Sequence, residues 1–571
     1  MITNTKLVKE TGATFTPSKL ADYISDRILA YYKADNQLIK VLDPACGEGA
    51  LLSSIAKKLA VQAVKFELVG FDSNAQFLDT AAVNLAGQSA KHSVSLINKD
   101  FLQQINPVST QSELFADPVL NDSINGTVDM IIANPPYVRT QVLGADYAQS
   151  IAKKFNLKGR VDLYYPFLMG MAYALKENGL LGVITSNRYL STKSGVSVRK
   201  FLKAHFEILE IIDLGDTKLF DAAVLPAIFI GRKKKAKPNF SSRFVKIYEE
   251  LNGYEGSLKP ASNIYDIIES KENGYFATED KKYKKTAGVI KFIDSKDATW
   301  ALLSTKENDW INKVNKSAKN VIGDLFKVRV GIKSTADKVF IKDDWDSVEP
   351  VPESALLKEL ISQENINPWE LSTAKKLKVL YPHAAKDGKK YTIGLEKFPA
   401  AKQYLENHRE KLSSRKYLID AGRKWYELWV PQNPDFWQKP KLVFPDISTY
   451  PRFYFDKSKR IVNGNCYWIV AKKPQEVDHL LLIQGVANSL LMTKYHSLMF
   501  NNKLYSGRRR YFSQFVEKYP LPDIAAAASQ KIIAIVKKLN KPKTKNKSVL
   551  IAELEKAVAS AFKIAPVLNL D

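Results

Sequence analysis

The stretch 128–137, Val-Asp-Met-Ile-Ile-Ala-Asn-Pro-Pro-Tyr, restricts the fold more than any other part of the chain. Its mostly apolar first half predicts a buried strand. Pro135 and Pro136 cannot continue a central strand, because proline lacks a backbone N–H and holds φ near one value. We therefore expect a rigid loop that presents Asn134 and Tyr137 at the carboxyl edge of a sheet, where open α/β sheets bind their ligands.

The side chains of this loop suit a planar ring that carries an amino group. The amide oxygen of Asn134 and the carbonyl of Pro135 can accept both hydrogens of one exocyclic amino group. Tyr137 can stack on the ring, and adenine is the obvious candidate. The alternative is a strand followed by a proline turn without chemistry, and the residues upstream argue against it.

Three further predicted strands lead to acidic residues. The strands are the apolar runs 38–42, 66–71 and 94–97. Asp43 opens a loop in which Gly47 lets the backbone approach a ligand closely, and an acid there suits an ammonium or hydroxyl group better than a phosphate. Asp72 is placed to accept from the hydroxyls of a ribose. Asp100 can accept from an adenine amino group, and Phe101 can pack on its ring. Each acid could instead be a solvated loop residue, but three at successive strand ends together favour a binding site.

The remaining elements of the first half follow from capping and apolar spacing. Thr16 is the predicted N-cap of a helix with Pro17 at its first position and an apolar face that includes Leu20, Ile24 and Ile28. We expect a helix over 164–176 that ends at Gly179. Three strands are predicted after it, over 180–185, 208–212 and 227–230. The basic run at 232–238 predicts a domain boundary near 240.

Composition excludes several classes of protein. A chain of 571 residues is expected to form two or more domains. It contains no apolar run of the ~20 residues that a membrane span needs, and its first residues do not have the pattern of a signal peptide. Two distant cysteines predict a reducing, cytoplasmic location, and six scattered histidines lead us to expect no metal.

The positive charge is concentrated in the second half of the chain. The formal net charge is +25. Residues 1–240 contain 28 basic and 22 acidic residues, and the remainder contains 57 and 38. This distribution predicts a polyanionic partner, most simply nucleic acid. The alternative is a merely soluble basic surface.

Residues 11 to about 235 resemble the catalytic domain of gamma-class DNA adenine-N6 methyltransferases of restriction–modification systems, the TaqI-like group. The resemblance lies in the order of the motifs: a Thr-Pro helix, Asp-Pro-Ala-Cys-Gly-x-Gly from Asp43, Asn-Pro-Pro-Tyr from Asn134, and a target-recognition region last. It implies an α/β fold, in which a Rossmann-like methyltransferase domain (1–240) precedes a mixed α+β target-recognition domain (241–523) and a C-terminal helical segment (524–571).

The resemblance also implies S-adenosylmethionine as the methyl donor and assigns residues to it. Thr16 and Pro17 would line its methionine end. Asp43, Ala45 and Gly47 would hold the methionine moiety and its amino group. Asp72 would hold the ribose, and Asp100 and Phe101 the adenine.

The same resemblance implies a target adenine that is flipped out of the duplex. Asn134 and the Pro135 carbonyl would accept its amino hydrogens, Pro136 would shape the loop, and Tyr137 would stack on the base. The family usually has a second aromatic residue after the fifth strand. Tyr189 is the candidate here, and the alternative for Tyr189 is a core aromatic.

The second half resembles the start of a TaqI-like specificity domain over 322–340. Several basic and aromatic residues of this half suit a groove that binds phosphates and holds an opened duplex. They are Lys333, Arg423, Lys424, Trp425, Tyr505, Arg508, Arg509 and Arg510. Alternatively, each of these residues belongs to a β-rich core with basic edges.

Double-stranded DNA is the expected partner, and the resemblance is compatible with a monomer. It leaves open a separate cognate restriction endonuclease or other defence-system subunits. Two other functions stay open at this point. One is methylation of RNA or of a protein glutamine amide, which poses the same chemical problem to an Asn-Pro-Pro-Tyr loop. The other is a non-catalytic DNA-binding subunit.

Overall fold

The structure is a computed structural model. It describes residues 15–33, 37–89, 92–107, 124–138, 140–157, 162–192, 194–217, 219, 225–234, 242–250, 256–290, 299–372, 376–500 and 508–567. The chain forms two compact units, Met1–Lys306 and Glu307–Asp571.

One sheet forms the centre of the first unit. Its strands are β1 Ile39–Asp43, β2 Phe66–Asp72, β3 Ser93–Asn98, β4 Val128–Ala133, β5 Leu175–Ser186, β6 Phe206–Asp213, β7 Pro226–Lys233, β8 Arg243–Glu249, β9 Lys259–Pro260, β10 Gly274–Ala277 and β11 Lys282–Val289. Across the sheet they lie in the order β3-β2-β1-β4-β5-β7-β6-β8-β11-β10-β9. The predicted strands of the first half are thereby confirmed.

The pairing directions bring the strand ends that matter to one edge. β1 pairs in parallel with β2 and β4, β2 with β3, and β4 with β5. β7 runs antiparallel between β5 and β6. Because parallel strands have their carboxyl ends at the same edge, the ends of β1, β2, β3 and β4 adjoin one another.

Helices and apolar side chains cover both faces of this sheet. Along β4, Ile131 belongs to one hydrophobic cluster, whereas Met130 and Ile132 belong to another. Successive side chains of a strand point to opposite faces, so both faces are buried, as a parallel sheet requires. The helices are Ser18–Leu29, Ala50–Val61, Ala75–Ser89, Phe101–Gln104, Ala145–Lys154, Tyr164–Ala174, Arg188–Ser191, Val196–His205 and Ile264–Glu269, and a 3-10 helix spans Thr140–Leu143.

Two helix ends differ from the prediction. Pro17, not Thr16, is the N-cap of the first helix, which begins at Ser18. The helix from Tyr164 ends at Ala174, and Gly179 lies inside β5, where the register with β4 shifts. Asn178 has φ +66° in this irregular segment. The extra residues form a bulge in the strand rather than the end of a helix.

The division between the units lies beyond the predicted boundary near 240. The sheet continues past that point, because β8 pairs in parallel with β6, from Glu210 opposite Arg243 to Asp213 opposite Lys246. The hairpin of β10 and β11 then extends the same sheet. The second unit begins at Glu307, within the helix Thr305–Ser317. Pairing between strands distant in sequence decides where the unit ends, and the basic run does not.

The second unit is mixed α+β, as predicted. Its strands are β12 Asn320–Val321, β13 Arg329–Val330, β14 Ile341–Lys342, β15 Leu357–Ile361, β16 Lys378–Leu380, β17 His383–Lys386, β18 Lys389–Thr392, β19 Lys441–Pro445, β20 Ile447–Ser448, β21 Tyr454–Asp456, β22 Ile461–Val462, β23 Cys466–Val470, β24 Arg509–Arg510 and β25 Pro520–Leu521. Two four-stranded sheets have the orders β13-β23-β19-β21 and β14-β16-β15-β22.

The helices of this unit connect and cover these sheets. They are Thr305–Ser317, Ile322–Leu325, Asp337–Phe340, Pro399–Asn407, Arg409–Ser413, Lys416–Asp420, Glu476–Ala487, Leu490–Phe500, Ser513–Val516, Ala527–Leu539 and Lys547–Ala561, with 3-10 helices at Leu395–Lys397 and Pro434–Gln438.

The predicted C-terminal helical segment packs within the second unit. A Cβ on Gly485 would lie only 2.6 Å from Cγ2 of Ile532, so the helices that carry these two residues touch closely. The amide groups of Gln484 and Asn540 exchange hydrogen bonds of 3.0 and 2.7 Å. Residues 524–571 are therefore part of one unit with the residues before them.

Candidate active site

A cavity of about 400 Å³ opens where β1, β2, β3 and β4 end. Of the predicted site residues, those that line it are Ala45, Gly47, Asp72, Asp100, Phe101, Asn134 and Pro136. Its volume lies in the range of small-molecule sites. The residues predicted at the strand ends therefore form much of one cavity wall. Pro17 is exposed and is not part of that wall.

Asp43 lies just behind this wall. It is 1% exposed, and its Oδ1 accepts a hydrogen bond of 3.1 Å from the backbone N–H of Ala45. Burial is the main cause that raises the pKa of the Asp43 carboxyl to about 8; the N–H of Ala45 lowers this pKa and the nearby Asp72 carboxylate raises it. Burial thus favours the neutral form of Asp43 until a cation lies beside it.

Asp72 connects two loops at the rim. One carboxylate oxygen accepts from the backbone N–H of Gly47 at 3.0 Å, and the other accepts from that of Asn74 at 2.8 Å. Gly47 has φ +50°, in the left-handed region that favours glycine. The loop after β1 is thereby held with its backbone facing the cavity.

Cys46 packs beneath this loop. A Cβ on Gly70 of β2 would lie 2.9 Å from its Sγ. Burial raises the pKa of the Cys46 thiol, so this cysteine stays uncharged and has a packing role.

Asp100 and Phe101 form a second part of the wall. Asp100 is the N-cap of the helix Phe101–Gln104, since its Oδ1 accepts from the N–H of Leu102 at 2.9 Å. Its Oδ2 accepts from the hydroxyl of Tyr147 at 3.0 Å. The ring of Phe101 is buried and stacks on Phe167 at a centroid distance of 5.9 Å.

The loop after β4 holds the amide of Asn134 in one orientation. Nδ2 of Asn134 donates to Oγ1 of Thr16 at 3.0 Å, and the hydroxyl of Tyr137 donates to Oδ1 of Asn134 at 2.7 Å. Asn134 is buried, Pro136 lines the cavity, and Tyr137 is half-buried. Thr16, predicted at the methionine end of the cofactor, thus also contacts Asn134.

Several cavity residues were not predicted from the sequence. They are Phe15, Pro44, Ser73, Asn74, Phe77, Lys99, Tyr147, Leu163 and Phe167. Ser73, Asn74 and Lys99 adjoin the acids at the strand ends, so the strand-end argument could have included them. Phe15 meets Phe77 edge-on at 5.4 Å and directly precedes the predicted Thr16, whereas Tyr147 lies on the helix Ala145–Lys154, which was not predicted.

The structure corrects the prediction for Tyr189. Its side chain is completely buried, and its ring meets Trp300 edge-on at 6.1 Å. The short helix Arg188–Ser191 that carries it turns its apolar residues into the core. Tyr189 is a core aromatic and does not form a clamp for a base.

The basic residues predicted to contact DNA divide into two groups. Lys333, Lys424 and Arg508 are exposed. Arg423, by contrast, binds its neighbours: its guanidinium donates to Glu427 and to the carbonyls of Leu428 and Trp429. Its contacts are therefore structural.

The cluster near residue 510 divides in the same way. Arg509 is buried and donates to Ser497 and to the carbonyl of Thr449. Arg510 is half-exposed and pairs with Asp446 at 2.8 Å. Tyr505 lies outside the described residues. Trp425 is half-buried, with the guanidinium of Arg409 4.9 Å from its ring centroid.

Within the described ranges, no cluster of three or more histidine, cysteine, aspartate or glutamate side chains is arranged to hold a metal ion. No helix in that same part of the chain is long and apolar enough to cross a membrane.

Comparison with known proteins agrees with this architecture. Residues 54–220 match the family model of the Eco57I restriction-modification methylase, and residues 365–521 match that of the TaqI-like C-terminal specificity domain. Together with the strand order and the cavity, these matches define an α/β methyltransferase with a C-terminal specificity domain.

Full-length relatives specify the family further. The chain is 43% identical to the type II methyltransferase M.BanIII of Aneurinibacillus aneurinilyticus, over 97% of both chains. It is 24% identical to the type II methyltransferase M.BstVI of Geobacillus stearothermophilus, over 90% of both. The chain belongs to the type II methyltransferases of restriction–modification systems. The predicted fold class and enzyme class, a DNA methyltransferase, are thereby confirmed.

A solved structure shares the fold over most of the chain. It is the DrdV–DNA complex, determined by cryo-electron microscopy. The match covers 94% of this chain and 57% of the DrdV chain, with a TM-score of 0.51 and 10% sequence identity.

Proposed function

We propose that this protein transfers a methyl group from S-adenosylmethionine to the N6 amino group of an adenine flipped out of double-stranded DNA. One observation carries the proposal. The amide of Asn134 is held between Thr16 and Tyr137, at the wall of a cavity that also contains the strand-end acids. This arrangement brings a hydrogen-bond acceptor for an amino group next to a nucleoside-sized space.

The residues of the cavity fit the proposed cofactor. Asp72 would accept from the ribose hydroxyls, and Asp100 with Phe101 would hold the adenine. Asp43, together with the loop residues Ala45 and Gly47, would hold the amino-acid end. The raised pKa of Asp43 supports this role, because a buried carboxyl needs a nearby cation to ionise. When bound, S-adenosylmethionine supplies an electrophilic methyl group on a sulfonium.

The loop after β4 would hold the target base. Oδ1 of Asn134 and the carbonyl of Pro135 would accept the two amino hydrogens of the adenine, which increases electron density on the nitrogen and orients it. Oδ1 has two lone pairs, and the hydroxyl of Tyr137 uses one of them. Positioning in line with the methyl group then supplies most of the rate enhancement.

Tyr137 would support the flipped base through its ring. An aromatic–base contact of this kind contributes about 1–3 kcal/mol. The base must leave the duplex first, because its amino group cannot be reached within it.

The proposal extends to location and partners. The enzyme would act as a monomer on duplex DNA in the bacterial cytoplasm, and a separate cognate endonuclease would cut unmodified sites. The exposed Lys333, Lys424 and Arg508 would contact DNA phosphates.

Methyl transfer from labelled S-adenosylmethionine to unmethylated bacterial DNA tests the reaction. The product nucleosides are separated afterwards, and RNA and a total protein extract serve as alternative acceptors. We expect the label in N6-methyladenine of DNA. Label in a cytosine, or in RNA or protein with none in DNA, would contradict the proposal.

A further inference from the structure

An open cleft of about 570 Å³ lies in the second unit. We refer to it as the lysine cleft. Three lysines line it, Lys333, Lys338 and Lys411. The single carboxylate in the lining, that of Asp337, accepts a hydrogen bond from the hydroxyl of Ser334.

The three lysines share the cleft lining with one carboxylate, that of Asp337. All three are exposed. Within the described ranges, none of their ammonium groups lies within ion-pair distance of a carboxylate. Three cations with a single carboxylate around a cleft this large and open suit a polyanion better than a small ligand.

Close backbone packing fixes the walls of the lysine cleft. Gly331 and Gly464 allow two segments to run in contact, since a Cβ on Gly331 would lie 2.0 Å from the carbonyl oxygen of Asn463. A Cβ on Gly464 would lie 2.5 Å from the carbonyl oxygen of Ile332. The cleft therefore has a defined shape.

A buried arginine holds the remaining wall. Arg415 donates to the carbonyls of Ser334 at 2.9 Å and Glu427 at 3.0 Å. Beside Ser334, the non-glycine residue Thr335 has φ +59°. Strained conformations of this kind persist where the surroundings enforce them, and they cluster at functional sites.

An exposed aromatic pair adjoins this cleft. Tyr417 and Trp429 are 45% and 36% exposed, and their rings meet edge-on at 5.0 Å. The next residue, Val430, exchanges two backbone hydrogen bonds of 2.9 Å with Lys333. Aromatic rings exposed on a basic surface are typical of proteins that bind nucleic acid.

We propose that the lysine cleft binds the sugar–phosphate backbone of duplex DNA and that Tyr417 packs against a sugar or base of the same DNA. The cleft lining contains no aromatic side chain, so the cleft suits the sugar–phosphate backbone. The rings of Tyr417 and Trp429 supply the apolar contact. This inference rests on the proposed function, and it names the surface through which the substrate is held.

Salt-dependent binding of a short mixed-sequence duplex tests the proposal with the full-length protein. The variant combines Lys333→Ala, Lys338→Ala and Lys411→Ala. A matched control combines Lys538→Ala, Lys541→Ala and Lys545→Ala, three exposed lysines near the C-terminal helices. Both remove the same charge, and thermal unfolding checks that both remain folded.

DNA binding by the cleft variant is expected to depend less steeply on salt. Each lost phosphate contact lowers the slope of log K against log salt by about 0.9, so the slope should fall by about 2–3 and Kd should rise at least about ten-fold near 0.1 M salt. The control should stay within about two-fold of wild type. An unchanged slope in the cleft variant, or an equal loss in the control, would overturn the proposal.

Two further measurements separate the remaining outcomes. Tyr417→Ala should weaken binding about five-fold or more without changing the slope, and unaltered affinity would remove Tyr417 from the surface. Tighter binding of RNA than of duplex DNA through the same lysines would overturn the DNA assignment. If wild type methylates DNA while the cleft variant binds normally, only the cleft is wrong; if wild type fails to methylate DNA, the proposed function itself fails.

Discussion

The hydroxyl of Tyr137 lies 2.7 Å from Oδ1 of Asn134 and donates a hydrogen bond to it. Burial raises the pKa of Tyr137, so the phenol stays protonated and remains a donor. On its other side the amide of Asn134 donates to Thr16. The amide oxygen of Asn134 thus faces Tyr137 and not Thr16. The proposed chemistry needs this oxygen as an acceptor.

Tyr137→Phe and Tyr137→Ala separate the hydroxyl from the ring. Tyr137→Phe keeps the ring and loses only the bond to Asn134, so we expect methyl transfer within about five-fold of wild type. Tyr137→Ala also loses base stacking, so kcat/KM should fall about 5- to 150-fold. Steady-state methylation rates check both. Equal losses in the two variants would show that the hydroxyl, not the ring, matters.

Asp43→Asn tests the buried carboxyl. Because its pKa is raised to about 8 from an ordinary value of 3.8, the wild-type protein loses stability as pH rises from about 4 to about 8, where the carboxyl ionises more readily in the unfolded chain than in the folded one. Asparagine does not ionise, so we expect the Tm of the variant relative to wild type to rise across this range and to level off above about pH 8. Its affinity for the cofactor should nevertheless fall about ten-fold, because no carboxylate is left to pair with the amino group. A pH-independent Tm difference would contradict this account.

Tyr147→Phe tests a residue that the sequence did not predict. The change removes the hydroxyl that lies 3.0 Å from Oδ2 of Asp100. The loss of one hydrogen bond of about 1 kcal/mol should weaken cofactor binding about five-fold, measured by calorimetry. The exposed Tyr391→Phe is the control, and it should bind the cofactor as wild type does. Unchanged affinity in Tyr147→Phe would remove Tyr147 from the cofactor site.

Arg508→Ala and Arg509→Ala should differ, although the residues are neighbours. Arg508 is exposed, so its loss should lower the salt slope of DNA binding by about 0.9 and leave Tm unchanged. Arg509 is buried and donates hydrogen bonds to Ser497 and to the carbonyl of Thr449, so its loss should destabilise the fold by about 2 kcal/mol. Thermal unfolding and salt titrations distinguish them, and the reverse pattern would contradict these assignments.

The sequence predicted the cavity wall well because parallel strands bring their ends together. Asp72, Asp100 and Asn134 are far apart in the chain, but each follows a strand whose apolar run is recognisable. Their proximity follows because the carboxyl ends of parallel strands meet at one edge of the sheet. The strand-end argument did not reach Tyr147, which lies on the helix Ala145–Lys154, or Phe15, which precedes Thr16, because neither residue follows a strand.

Other predictions failed because burial and pairing are not local properties. Tyr189 follows β5, where an exposed aromatic was expected, but the helix that carries it turns inward onto Trp300. The basic run before residue 240 has the composition of a linker, yet β8 immediately beyond it pairs with β6. Arg423 resembled a phosphate contact in the sequence, although a glutamate four residues later binds it.

The most direct test of the account compares Asn134→Ala with wild type in two measurements, cofactor affinity and single-turnover methyl transfer to unmethylated DNA. The exposed Asn407→Ala is the matched control. We predict that Asn134→Ala binds S-adenosylmethionine within about three-fold of wild type but transfers methyl at least about 100-fold more slowly, because the target amino group loses its acceptor. Near-wild-type transfer by Asn134→Ala would contradict the central claim.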